Sequence, residues 1–234
     1  MSSYHNAVSD QLVVLLYQNE CIYKVFGKDN NLKESYSTSI DGFPSELEGA
    51  IFSSTKKVSF GQNFTLVPAG ETDVESYFNL NFKNEADLKS KVCGDFRIVY
   101  PAFSYESALN AKLVNSLSYS DIELVYSHLN IQPIEDGLFF YVINESITVL
   151  GWKNGVFHLA NRYPATSDEE LFYYVMLVKE QLDLNIDKLR FECIGSQNYI
   201  EGYNSLFKDY LPTIRTEISN QYGSLEQFLL SCVL

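Results

Sequence analysis

Apolar and polar positions alternate in short bursts along the first forty residues. "QLVVLLY" (11–17), "CIYKVFG" (21–27) and "LKESYSTSI" (32–40) are separated by the turn formers "QNE" and "KDNN". β-Branched and aromatic runs bounded in this way predict a three-strand antiparallel meander. Pro44 suits a helix's first turn and predicts a short helix over 45–52. "KKVSFGQNFTLVPAG" (56–70) supplies one or two strands, ended by Pro68 and Gly70, and "ETDVESYFNLNF" (71–82) and "NEADLKSKV" (84–92) read as helical or mixed. "DFRIVYPA" (95–102) is a strand stopped by Pro101. Ala108, Leu109, Lys112, Leu113 and Ser116 then fall at helical spacing, with Ser104 and Ser107 near the helix start, and "DIELVYSHL" (121–129) reads as a strand closing this half.

The pattern restarts at Gly137. "GLFFYVI" (137–143), "SITVLGW" (146–152) and "GVFHLANRY" (155–163) predict a second meander, and "KNG" marks its last hairpin because Gly155 takes positive φ freely. "SDEELFYYVMLVKEQLDL" (167–184) is the clearest helix. Ser167 and Glu170 fit a capping box, Asp168 and Glu169 favour the positive helix end, and Leu171, Tyr174, Val175, Val178 and Leu182 form one apolar stripe. "KLRFECIG" (188–195) follows as a strand, then "YIEGYNSLFKDYL" (199–211) as a helix, "TIRTEIS" (213–219) as a strand and "SLEQFLLSCVL" (224–234) as a closing helix.

Three antiparallel strands leading into parallel strands joined by helices is the order of a ribonuclease H-like subdomain. Two in tandem, over 1–130 and 131–234, make the α/β actin-like ATPase fold, each half carrying one mixed sheet. The stretches "NECIYKVFGKDN" (19–30) and "NESITVLGWKNG" (144–155) hint at the duplication, since Asn19, Glu20, Ile22 and Lys28 align with Asn144, Glu145, Ile147 and Lys153. The repeated element order is the stronger sign.

Composition narrows the function. With 234 residues and 46% apolar content, the chain can bury one sizeable core or two modest ones. A net charge of −13 opposes a phosphate backbone, so nucleic acid is a poor partner. The apolar run Leu12–Tyr17 is far short of the roughly 20 residues that span a bilayer. No signal peptide opens the chain, and the cytoplasm is the expected location. Cys21, Cys93, Cys193 and Cys232 are scattered, as are His5, His128 and His158, so reduced core thiols are expected and no metal site is spelled out.

"FTLVPAG" (64–70), "GVFHLANRYPATSDEELFYYVMLVKEQLDLNIDKLRF" (155–191) and the meander before the latter resemble bacterial domain-of-unknown-function family 3822. The resemblance covers nearly the whole chain. It implies the actin-like ATPase fold and leaves the activity open.

Such enzymes hold phosphates at the first hairpin turn of each subdomain, where Asp and Gly let the backbone approach and an acid position Mg²⁺. The matching turns here are "YQNEC" and "INESI", both without Asp-x-Gly. Gln18, Asn19, Asn144 and Glu145, with Gly195 and Ser196 in "CIGSQNY" for an adenosine loop, are the candidate cofactor-binding residues of a degenerate cleft. Glu20 and Glu145 would repel a phosphate they faced, and ordinary hairpin turns are the plain alternative. No Walker loop, GxGxxG or G-x-S-x-G occurs, and only Asp10 flanks the first strand, where a nuclease of this fold needs a metal-binding acid. Trp152, Arg162 and Tyr163 could form a ligand platform, though alternating strand residues more often pack a sheet face.

The leading expectation is a pseudo-ATPase without catalytic or metal-binding residues, needing no cofactor, that works by binding another protein; the same chemistry allows a homodimer. The alternative is a divergent nucleotide- or small-ligand-binding enzyme, with ATP and Mg²⁺ held in the cleft between the subdomains. It requires Gln18, Asn144 and Gly195 to converge, and it fails where Tyr17 or Tyr199 fills the space. A third reading, a subunit of a membrane-attached assembly, rests on fold analogy.

Overall fold

The first meander folds as its alternation requires. In the computed structural model, which describes residues 9–61, 63–82, 87–102, 106–113, 115–143, 145–185, 189–194, 207 and 224–234, β1 (Gln11–Leu16), β2 (Glu20–Phe26) and β3 (Leu32–Ser39) pair antiparallel in sequence order. β4 (Ser54–Ser59) pairs parallel with β1, and β8 (Leu117–Ser120) parallel with β4, completing a five-stranded sheet of order β3-β2-β1-β4-β8. β1 is central, so Leu12 to Leu16 are fully buried on both faces, whereas the edge strand β3 alternates exposed and half-buried positions. The helix expected over 45–52 shrinks to one 3-10 turn, Ser45–Leu47.

The second meander repeats the plan. β9 (Gly137–Ile143), β10 (Ser146–Lys153) and β11 (Val156–Pro164) are antiparallel, and β12 (Arg190–Ile194) joins β9 in parallel, giving the order β11-β10-β9-β12. The last hairpin turns through Asn154 and Gly155 at φ 52° and 80°, the left-handed pair that its sequence signalled. Along the chain, between the two meanders, come the strands of a third sheet, β5 (Thr65–Pro68), β6 (Leu88–Cys93) and β7 (Phe96–Pro101), in the order β5-β7-β6. Helix α1 (Val74–Asn81) covers one face of it, with Phe78 packed on Val67 and Val99.

The remaining helices are α2 (Glu106–Lys112), α3 (Asp121–Leu129), α4 (Asp168–Gln181) and α5 (Leu225–Val233). α3 corrects the strand expected over 121–129. The Ser120 hydroxyl accepts a hydrogen bond from the Glu123 amide at 3.2 Å, capping the helix as soon as β8 ends. Ile122, Val125, Tyr126 and Leu129 then fall on one buried stripe at helical spacing. "NEADLKSKV" resolves into strand β6 over its second part. The helix expected over 199–211 and the strand over 213–219 lie outside the described residues, apart from the helical Phe207.

The chain divides into two compact units. One holds Met1–Gln62, Ala102–Leu124 and Val233–Leu234; the other holds Asn63–Pro101 and Val125–Cys232. In the first, Leu12, Val14 and Leu16 pack with Cys21, Tyr23, Val25 and with Leu109 and Leu113 at α2. Lys57 sits on the same sheet face, beside Val14, and is buried. Its ammonium meets the Glu106 carboxylate at 3.2 Å and the Asn110 side chain, while the Ser118 hydroxyl donates to the same carboxylate at 2.7 Å. In the second unit, α4 lays Leu171, Val175 and Val178 over Leu138, Phe140, Ile147 and Val149. A side chain at Gly151 would meet Leu182, its Cβ lying 2.3 Å from Cδ1, so glycine lets the end of α4 close onto β10. Ser167 caps α4 through the Glu170 amide at 3.3 Å, as the capping box predicts, while the Glu170 carboxylate reaches one residue further back and accepts from the Thr166 amide at 2.7 Å. Those amide and hydroxyl bonds from Thr166 hold the Glu170 carboxyl below its ordinary pKa.

Candidate functional site

At the β1–β2 turn, Gln18, Asn19 and Glu20 are exposed, and the Tyr17 amide donates to the Glu20 carbonyl at 3.0 Å. The Glu20 carboxylate accepts from the Ser37 hydroxyl at 3.2 Å on the neighbouring strand. Leu16, Ser59 and Ser120 end the three parallel strands of this sheet in one register row, the edge where open α/β sheets usually bind ligands. An aromatic pair occupies part of it. The Phe60 amide bonds the Leu16 carbonyl at 2.9 Å, and the Tyr17 ring stacks on Phe60 with centroids 4.6 Å apart and planes 18° apart.

At the β9–β10 turn Glu145 is exposed, and its carbonyl accepts from the Ala165 amide at 2.8 Å. Asn144, Gly195, Ser196 and Tyr199 lie outside the described residues. The structure therefore brings Gln18 and Asn19 together in one turn and places Glu145 in the other compact unit. Asp10, at the opposite end of β1, is buried and takes both hydrogen bonds of the Lys33 ammonium, at 2.8 and 2.9 Å. It anchors β3 and stands apart from the turn. Among the described residues no group of three or more His, Cys, Asp or Glu is placed to hold a metal ion.

Sequence spacing gave no sign of a second site inside the second unit. A cavity of about 340 Å³ lies between β5 and β11, lined by Phe64, Thr65, Leu66, Asn81, Phe82, Phe96, His158, Leu159, Ala160 and Asn161. Consecutive residues of both strands contribute. Because strand side chains alternate between faces, a cavity touching four in a row lies along the strand's edge, against its backbone. Arg162 closes one end, its guanidinium 5.3 Å from the centre of the Phe64 ring. Arg162, Thr148 and Tyr141 are direct neighbours across β11, β10 and β9, and the guanidinium donates to the Thr148 hydroxyl at 2.7 Å and the Tyr141 hydroxyl at 3.3 Å. Phe96 meets Phe157 edge-on at 5.9 Å near the other end.

Trp152 is not an open platform beside these residues: it is buried, with Phe139, Tyr126 and Phe157 around it at 5.3, 6.1 and 4.8 Å. Burial, with Cys93 and Asp95 nearby, raises the Tyr126 phenol above its ordinary pKa.

This arrangement of sheets can be set beside known proteins. A family model described as "Protein of unknown function (DUF3822)" matches residues 56–214. The chain belongs to that family. A solved Bacteroides thetaiotaomicron protein, described as having an actin-like ATPase fold and unknown function, matches with a TM-score of 0.80 at 16% identity, covering 99% of each chain. This DUF3822 chain therefore has the actin-like ATPase fold. The ethanolamine utilization protein EutJ from Carboxydothermus hydrogenoformans matches at TM-score 0.46 and 10% identity, over 96% of this chain and 88% of its own. A chain of the PilM-PilN type IV pilus biogenesis complex matches at 0.47 and 10%, over 96% and 98%. Among curated proteins no sequence matches. No helix among the described residues is long and apolar enough to cross a membrane.

Proposed function

We propose that this protein is a non-catalytic member of the actin-like ATPase fold, a pseudo-ATPase that serves as a scaffold for another protein. One observation carries the reading. At the β1–β2 turn, where an active relative admits phosphate, Tyr17 stacks on Phe60 across the ends of β1 and β4, and the turn's charged residue is the acid Glu20. A triphosphate brought there meets an aromatic pair and a carboxylate, with no glycine in "YQNEC" to let the backbone close around it. On this reading no cofactor is needed, a cytoplasmic protein or a second copy is the partner, and the two ribonuclease H-like halves persist as a framework.

Isothermal titration of the full chain with ATP and Mg²⁺ tests it. The expected result is no saturable heat up to about 1 mM ligand, the weak limit at which binding is worth about 4 kcal/mol. Sub-micromolar binding, or phosphate release on turnover, overturns it.

A further inference from the structure

The cavity between β5 and β11 has walls that suit a particular kind of ligand. β5 pairs with β7 and β11 with β10, and among the described residues no ladder joins β5 to β11. Both are edge strands facing one cavity. The Arg162 amide donates to the Asn161 side chain at 2.9 Å, so it points away from β10. By strand alternation, Ala160 two residues earlier turns its N–H and C=O the same way, into the cavity that it lines. His158 is the extra residue of a β-bulge, since Gly151 faces Leu159 while Trp152 faces Phe157. The flat open edge is therefore short, running over 159–161 between the bulge and Arg162.

Charge decides what fits this edge. The chain carries 17 Lys and Arg and 30 Asp and Glu, yet among the described residues none of these lines the cavity. The groups offered are backbone amide and carbonyl, the Asn81 and Asn161 amides, the Thr65 hydroxyl and the His158 ring, against Phe and Leu walls. Arg162 is held by Thr148, Tyr141 and Phe64, which makes it an end post and removes it as a bare anion site. An uncharged strand backbone, with small side chains alternating toward the apolar walls, complements such an edge group for group.

We propose that this groove accepts a short, extended, uncharged segment of a partner protein, paired through its backbone to Ala160. The proposal rests on the scaffold reading and names the docking site that reading lacks.

The probe is a bead-displayed library of octapeptides whose central five positions are uncharged, incubated with labelled full-length protein. Selected peptides are expected to bind saturably and to lose at least tenfold when one central amide is N-methylated, because that removes a ladder hydrogen bond. Ala160→Pro removes the outward N–H at a position where an edge strand tolerates proline, and is expected to lose tenfold or more with the melting temperature retained. Should Ala160→Pro not fold, His158→Glu with Asn161→Asp changes only exposed side chains and is expected to lose binding equally. Failure to select any peptide, or selected peptides that bind the folded variants as well as wild type, overturns the groove. ATP binding in the separate titration would overturn the scaffold reading and leave the groove result standing, so the two failures are distinct.

Discussion

Lys57 on β4 and Phe140 on β9 are both buried within the parallel strand pairs, β1–β4 and β9–β12, of sheets that share the order β3-β2-β1-β4 and β11-β10-β9-β12. Around Lys57 the neighbours are Glu106, Asn110 and Ser118. Around Phe140 they are the rings of Phe191 at 5.3 Å and Phe207 at 5.8 Å. The same topology is thus held by a hydrogen-bonded ion pair in one unit and by aromatic packing in the other. Topology sets where a side chain must point, and it leaves open what chemistry fills the space. The two chemistries fail differently: an ion pair can be replaced as a pair, whereas a packed ring leaves a cavity.

The largest effects test that contrast. Phe140→Ala should cost about 3–5 kcal/mol through lost burial and the residual cavity, read from urea denaturation. Glu106→Ala should cost a similar ~3–5 kcal/mol because it leaves the Lys57 ammonium buried without its carboxylate. The double variant Lys57→Met with Glu106→Leu should return to within about 1 kcal/mol of wild type or exceed it. A Glu106→Ala loss below about 1 kcal/mol would break the comparison, since solvent would then be reaching Lys57.

Helix caps come next. Ser167→Ala and Ser120→Ala should each cost about 1 kcal/mol, as both hydroxyls accept an amide of the first helical turn. Equal losses at the two sites would place α3, misread as a strand from its sequence, on the same footing as α4. A loss at Ser167 alone would mean that tertiary packing, and not the cap, holds α3.

A smaller, pH-dependent effect belongs to His128, which packs edge-on against Phe228 at 4.8 Å. Burial, then the nearby Arg190, lowers its pKa below the ordinary 6.5. The unfolded chain therefore takes up the proton first. The contribution is fully present above pH 6.5 and is lost as pH falls from there through the lower folded value. The urea midpoint of wild type should drop over that interval more than that of His128→Asn, and parallel profiles would refute the assignment.

The least perturbing probe is thiol labelling. All four cysteines are thiols outside any disulfide; burial pushes the Cys193 thiol up to about 12 and the Cys232 thiol up to about 11. An aromatic disulfide reagent at pH 8 should react slowly with native protein and fully in denaturant. In graded urea, labelling of Cys21 separately from Cys193 would resolve the two units as independently opening bodies; coincident labelling would join them into one cooperative transition.

Much of the fold could be read along the chain because both meanders are written in local terms. Strand runs such as Gln11–Leu16 and Gly137–Ile143, the Asn154-Gly155 turn and the Ser167 cap each need only near neighbours in sequence. The misread helix α3 also carried a local signal, Ser120 three residues before Glu123, but its Val and Tyr content resembled strand composition. Of the candidate site, the composition of the two first turns was legible, while the stacking of Tyr17 on Phe60 was not, because their contact depends on β4 pairing in parallel with β1.

What the sequence determined by itself is the two meanders and helix α4, the missing Asp-x-Gly at both turns, and a strongly acidic chain with scattered Cys and His. Only the tertiary structure decided that Lys57 would be buried with Glu106, and that β5 and β11 would face one another across a cavity whose described lining holds no Lys, Arg, Asp or Glu. The reason is range. Periodicity, turns and caps are settled within about ten residues, whereas these meetings bring together strands and helices some fifty to ninety residues apart, through closures whose cost grows only slowly with loop length.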